Sequence, residues 1–118
     1  MNYDLEERTL AFSRSVIIFL KSLKLNHLNS SIINQLLRST TSVGANYREA
    51  NNASSRKDFT NKAFICKKEC QETKYWIELL AELENDRKSD LRKIWQEAHE
   101  LTLIFNKICY SSKKDINH

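Results

Sequence analysis

One glycine and no proline occur in 118 residues, and that scarcity limits the folds open to the chain. Hairpins and tight turns depend on residues that adopt positive φ or carry a fixed φ. A sequence nearly without them cannot readily build the bends of an all-β or α/β domain. Leu, Lys, Glu, Ala, Arg and Gln are plentiful, and all are good helix formers. The expected fold class is therefore all-α. At this length the chain makes one ordinary domain with a modest core.

Four helical segments follow from the apolar spacing. The first starts at Asp4, which with Glu7 has the spacing of a capping box, and carries Phe12, Val16, Phe19 and Leu23 with Leu20 alongside. It should fray near Asn26 or His27. The second begins near Asn29 to Ser31, all competent N-caps. Ile32, Leu36, Ser39, Val43, Asn46, Ala50 and Ala53 form one seam; Ile33, Leu37, Thr40, Gly44 and Tyr47 form the next. Its boundary with the third helix is the least defined, because Asn51 to Ser54 could prolong it.

The third helix starts from a second capping box, Ser55 with Asp58. Phe59, Ala63, Cys66, Cys70, Thr73, Ile77 and Leu80 keep a heptad seam, with Ile65, Glu69, Glu72, Trp76, Leu79 and Leu83 beside it. Asn85 to Ser89 is a polar break. The fourth helix starts near Ser89 or Asp90, and Leu91, Ile94, Ala98, Leu101, Phe105 and Ile108 make its stripe. Short connections between long helices favour antiparallel neighbours. The expectation is an antiparallel up-down four-helix bundle over residues 1–112, followed by a short, disordered polar tail at 113–118.

No apolar run approaches the roughly 20 residues of a membrane span. The N-terminus has acids where a signal peptide would be basic. The three cysteines are odd in number and lie inside helical patterns, so a secreted disulfide scaffold is disfavoured and a reducing cytoplasm is expected. The net charge of +4 leans toward acidic partners.

The informative anomaly is polarity within the seams. Glu69 and Glu72 lie between Ile65 and Trp76 on a face that otherwise reads as buried, and a buried carboxylate needs a cation or several hydrogen bonds. If the second and third helices pair antiparallel about Ser54 and Ser55, Arg38 falls level with both carboxylates and can engage them with its planar fork. Ser42, Asn46 and Glu49 then continue the polar row toward the turn. Arg38, Ser42, Asn46, Glu49, Glu69 and Glu72 form a candidate polar core cluster. Either it fixes helix register, or it lines a ligand or subunit surface.

In an up-down bundle the first and third loops share one end, which gathers Lys21, Lys24, Arg87, Lys88, Arg92 and Lys93 as candidate nucleic-acid contacts. The alternative is a solvated charged surface. No RNP, KH or zinc-finger signature accompanies them. Cys66 and Cys70 share a helical face, but there is no CxxC, HExxH or ExxH pattern, so no metal site is expected. Gly44 is mid-helix, where it costs about 1 kcal/mol relative to Ala, and a close helix approach explains it. No glycine-bearing elbow or phosphate loop supports an enzyme.

The stretch QLLRSTTSVGANYREA at 35–50, continuing through Lys57-Asp58-Phe59 to Glu69, Glu72, Tyr75 and Trp76, resembles a family of bacterial four-helix-bundle proteins. These are encoded by intervening sequences in 23S ribosomal RNA genes and are also labelled ribosomal protein S23-like. The shared positions are Arg38, Ser42, Val43, Ala45, Asn46, Glu49, Ala50, Lys57, Asp58 and Phe59. The resemblance implies a homo-oligomer, a ring of five, with no enzyme activity, no cofactor and no small-molecule substrate. It also implies association with ribosomal RNA or a ribonucleoprotein; the rival expectation is a structural or protein-interaction oligomer. Residues 51–55 carry no glycine where many relatives have one or two. Four large aromatics, Tyr47, Tyr75, Trp76 and Trp95, exceed what a thin monomeric bundle is expected to bury, which favours assembly.

Overall fold

The computed structural model describes residues 2–116. Its helices are α1 (Asn2–Lys21), α2 (Ser30–Asn51), α3 (Arg56–Leu83) and α4 (Lys88–Ile116), with one 3-10 turn at Asn85–Arg87 before α4. Among the described residues there is no strand. Each sequential pair runs antiparallel. Glu6 meets Asn51 while Ser13 meets Thr40; Lys62 meets Glu49 while Glu72 meets Arg38; Thr60 meets Ser112 while Glu78 meets Trp95. The result is the expected up-down bundle.

The core runs down the bundle axis through Phe12 and Val16 of α1, Leu36, Val43 and Tyr47 of α2, Cys66, Cys70 and Ile77 of α3, and Leu91, Leu101 and Phe105 of α4. Tyr47 packs edge-on against Phe105 at 5.5 Å between ring centroids. It is 1% exposed, so one chain buries it and it gives no reason for assembly. A pair of hydroxyls also lies in the core. Thr73 Oγ1 donates to Ser39 Oγ at 2.8 Å, and neither residue is exposed.

The helix ends differ from expectation at three places. α1 begins at Asn2, so Asp4 sits inside the first turn. There it complements the positive end of the helix dipole and is not the cap. α1 also stops at Lys21, well before Asn26. At the far end α4 runs on through Ile116, so residues 113–116 are helical and not a disordered tail. Ser112 is buried against Thr60, and Lys113 and Lys114 stand in the last turn, where cations are favoured. Positions 117 and 118 of the expected tail lie outside the described residues.

The junction between α2 and α3 needs no glycine. α2 ends on Asn51, and the amides of Asn52 and Ala53 bond back to Glu49 and Ala50 at 3.1 Å with φ negative at every described residue. A helix that closes this way never enters the left-handed region where glycine is favoured. α3 then opens on the expected cap, with Asp58 N donating to Ser55 Oγ at 3.0 Å. Gly44 has its expected reason. A Cβ built on it would meet Thr9 Oγ1 at 3.3 Å, so the bare glycine lets α1 close on α2.

Candidate functional site

Along the α2–α3 seam the six polar residues form a ladder. Arg38 Nη1 donates to both oxygens of Glu69 at 3.2 and 3.1 Å, and Arg38 Nη2 pairs with Glu72. Gln35 Oε1 accepts from Arg38 Nε at 2.9 Å, which fixes the plane of the guanidinium. Ser42 Oγ donates to Glu69 at 3.0 Å, and Asn46 Nδ2 donates to Ser42 O and Oγ, both at 2.9 Å. Lys62 Nζ reaches Glu49 at 2.9 Å next to the turn. Each carboxylate is thereby paired, which raises the Arg38 guanidinium against the burial that opposes its charge.

The ladder is not in the core. The side chains of Arg38 and Glu72 are 44% and 40% exposed, and Glu69 is 17% exposed. The bundle axis passes through Leu36, Val43 and Tyr47 and through Cys66, Cys70 and Ile77, so positions a step further round each helix fall on the rim of the seam. A heptad count groups both rows on one broad face and does not separate core from rim.

At the end that holds the first and third loops, Asn29 does work the sequence did not advertise. It caps α2 by position, yet its side chain makes no cap bond to that helix. Asn29 Oδ1 accepts from Asn26 N at 2.9 Å, and Asn29 Nδ2 donates to Lys24 O and to Glu84 Oε2, each at 3.0 Å. A fully buried amide therefore ties loop to loop. The one signal in the sequence is the Asn26-x-x-Asn29 spacing, since Asn26 Oδ1 accepts from the Asn29 amide in return.

The six basic residues proposed for this end do not make one patch. Arg87 is held: its Nε donates to Asp90 at 2.9 Å and its guanidinium lies 4.7 Å from the Phe19 ring centroid. Lys93 lines a groove between α1 and α4 with Asp90 and Glu97. Lys21 and Lys24 are exposed and line neither groove. Lys88 and Arg92 stand on the opposite flank of α4, facing α3.

That α3–α4 flank has a composition of its own. An open groove of about 600 Å³ is lined by Ile77, Glu78, Ala81, Lys88, Leu91, Arg92, Trp95 and Gln96. Lys88 and Arg92 are exposed and form no ion pair with a described residue. Trp95 Nε1 donates to Glu78 at 3.1 Å, which orients the indole. His99 stacks on that indole at 5.1 Å with 13° between planes, and Lys74 Nζ lies 5.3 Å from its centroid. Lys74 also contacts His99 Nδ1 at 3.2 Å, where the ring nitrogen accepts from the ammonium. Further along α3, Lys67 lies over Phe64 at 5.5 Å. Cations interleaved with aromatic faces suit phosphates and bases together.

The cysteines offer no comparable chemistry. All are free, and burial pushes Cys66 up to about 12, with Cys70 and Cys109 also raised for the same reason. At neutral pH they are protonated thiols, poor nucleophiles and poor ligands. Among the described residues no group of His, Cys, Asp and Glu is placed to hold a metal ion, and no helix is long and apolar enough to cross a membrane. Several large apolar side chains do face outward: Ile17 and Ile18 on α1, Leu25 and Leu28 in the loop after it, and Tyr75 on α3. Trp76 and Trp95 are half-buried.

A crystal structure from Bacteroides thetaiotaomicron, of a protein with unknown function from the S23 ribosomal protein family, is similar to this chain. It shares 35% identity with a TM-score of 0.77, over 88% of this chain and 96% of that one. No protein of curated function matches. The family model described as 23S rRNA-intervening sequence protein matches residues 2–107. With that match over nearly the whole bundle, the chain belongs to the 23S rRNA-intervening sequence protein family.

Proposed function

We propose that the protein is a non-enzymatic, oligomeric bundle of the cytoplasm that binds RNA or a ribonucleoprotein through a basic surface. The observation that carries this reading is the pair Lys88 and Arg92, which form no ion pair with a described residue and are set beside Trp95 in one groove. A family named for an intervening sequence of 23S rRNA makes ribosomal RNA the first polyanion to try. Each phosphate contact releases counterions, so binding should weaken steeply with salt. Retention on a 23S rRNA fragment at low salt, lost at high salt, is the expected result. No retention at any salt would overturn the proposal.

The oligomer, a ring of five by resemblance, is favoured by Ile18, Leu25 and Leu28, each more than 60% exposed at the α1 end. Large apolar side chains left this exposed favour protein contacts. Light scattering should report a mass several times that of one chain, and a monomer at micromolar concentration refutes this part. The same residues support a second reading, a structural oligomer with a protein partner and no nucleic acid. A pull-down that yields a single protein and no RNA would favour it.

A further inference from the structure

We infer that the α3–α4 groove takes single-stranded nucleic acid, with one unpaired base stacked on Trp95 and the flanking phosphates on Lys88 and Arg92. This rests on the nucleic-acid reading above and names both its site and its strand form.

The geometry argues for a base. His99 is one helical turn beyond Trp95 on α4 and covers one side of the indole. Trp95 itself lines the groove with Lys88, Leu91 and Arg92, which lie one to two turns before it, and it is half-buried, so part of the indole that His99 leaves uncovered is open there. Glu78 holds the indole nitrogen and His99 and Lys74 support the ring, so the platform is oriented before a ligand arrives. Base stacking on a fixed aromatic is favourable for any sequence. Gln96, in the same lining, has an amide that can both donate to and accept from a base edge.

The size argues for a single strand. A groove of about 600 Å³ admits a base and its sugar, while a duplex keeps its bases stacked inside and presents backbone and a shallow groove. Lys88 and Arg92 are one turn apart on α4, about 6 Å along the axis. They stand on the open lip beside Trp95, where phosphates flanking a stacked base would lie.

The test uses the full chain carrying Trp76→Phe, so that emission reports on Trp95. A short oligouridylate should quench it saturably, oligodeoxythymidylate should do likewise, and a blunt RNA duplex of equal length should not. Lys88→Glu with Arg92→Glu should weaken the oligouridylate by more than about tenfold and flatten the log K against log salt slope by about 1.4. Trp95→Leu, read by anisotropy of labelled RNA, should lose about tenfold with the slope unchanged. Equal quenching by the duplex overturns the single-strand assignment. Binding without quenching, unaffected by the charge reversals, overturns this site and leaves the RNA reading standing. No binding at any salt overturns both. A changed mass in light scattering for the charge-reversed protein, with RNA affinity intact, makes the groove a subunit contact and overturns the inference.

Discussion

Helix α3 has two edges, and they are built to opposite rules. On the edge facing α2, charge is answered by charge: Arg38 meets Glu69 and Glu72, and Lys62 meets Glu49. Behind that rim lie the buried thiols of Cys66 and Cys70, and Cys66 Sγ donates to Val43 O across the seam. On the edge facing α4, Lys88 and Arg92 flank a groove whose carboxylate, Glu78, is engaged by Trp95 Nε1. The first edge is internally satisfied and is suited to holding two helices in register. The second keeps positive charge and an aromatic face turned outward, which adds little to stability and leaves interactions for a partner. Residue types alone do not separate the edges, since both mix Lys, Glu and Trp.

The largest expected contrast is with alkali. The thiols ionise near their ordinary value of 9.0 when unfolded, whereas burial holds Cys66 near 12 and raises Cys70 as well. Their contribution is therefore whole below pH 9 and drains as pH rises toward 12. At pH 10 each thiol should cost about 1.4 kcal/mol, so roughly 2–3 kcal/mol for the pair. A melt at pH 8 and pH 10 measures this. The Cys66→Ala, Cys70→Ala protein should fall less between the two, and parallel losses would show that the thiols are not responsible.

Next in size is Arg38→Ala, which leaves the largely buried Glu69 carboxylate with Ser42 alone. We expect a loss of about 1–2 kcal/mol, held down by the exposure of Arg38 itself, with RNA affinity unchanged. An unchanged melting temperature would mean that the ladder does not hold α2 to α3. On the other edge, Glu78→Gln retains an acceptor for the Trp95 indole while removing the carboxylate from the groove. RNA affinity should rise by about threefold with no change in melting. A fall would place the phosphates elsewhere. Smallest is the stability effect of Lys88→Glu with Arg92→Glu, expected within about 0.5 kcal/mol because both side chains are solvated and form no ion pair with a described residue. A larger loss would make this edge structural too and erase the contrast.

Much of the architecture was legible because it depends on periodic or local signals. In the heptad row Ala63, Cys66, Cys70, Thr73, Ile77 and Leu80 are buried, and Phe59 at its start is partly buried against the core. The Ser55 cap formed where the capping spacing lay. Equal distances from the α2–α3 turn brought Arg38 level with Glu69 and Glu72. Depth and helix ends were not legible. The ladder is on a rim, since a seam one step round a helix differs from the core by an angle that only packed neighbours define. α4 outlasts its apolar stripe because Ser112 finds Thr60 on another helix. The basic residues expected together were divided, since Lys93 and Arg92 are adjacent in the chain yet point to different grooves.

By itself, the sequence determined that this protein is helical, how many helices it has, and which neighbours run antiparallel. Those follow from local propensity, from the scarcity of glycine and proline and from the shortness of the loops. Tertiary structure alone decided that Asn29 would tie two loops and that Tyr47 would be enclosed. It also paired the charges on one edge of α3 and left the other open. Each of these depends on which side chains from distant segments arrive at the same place, and that is settled only when four helices choose their rotations about a common axis.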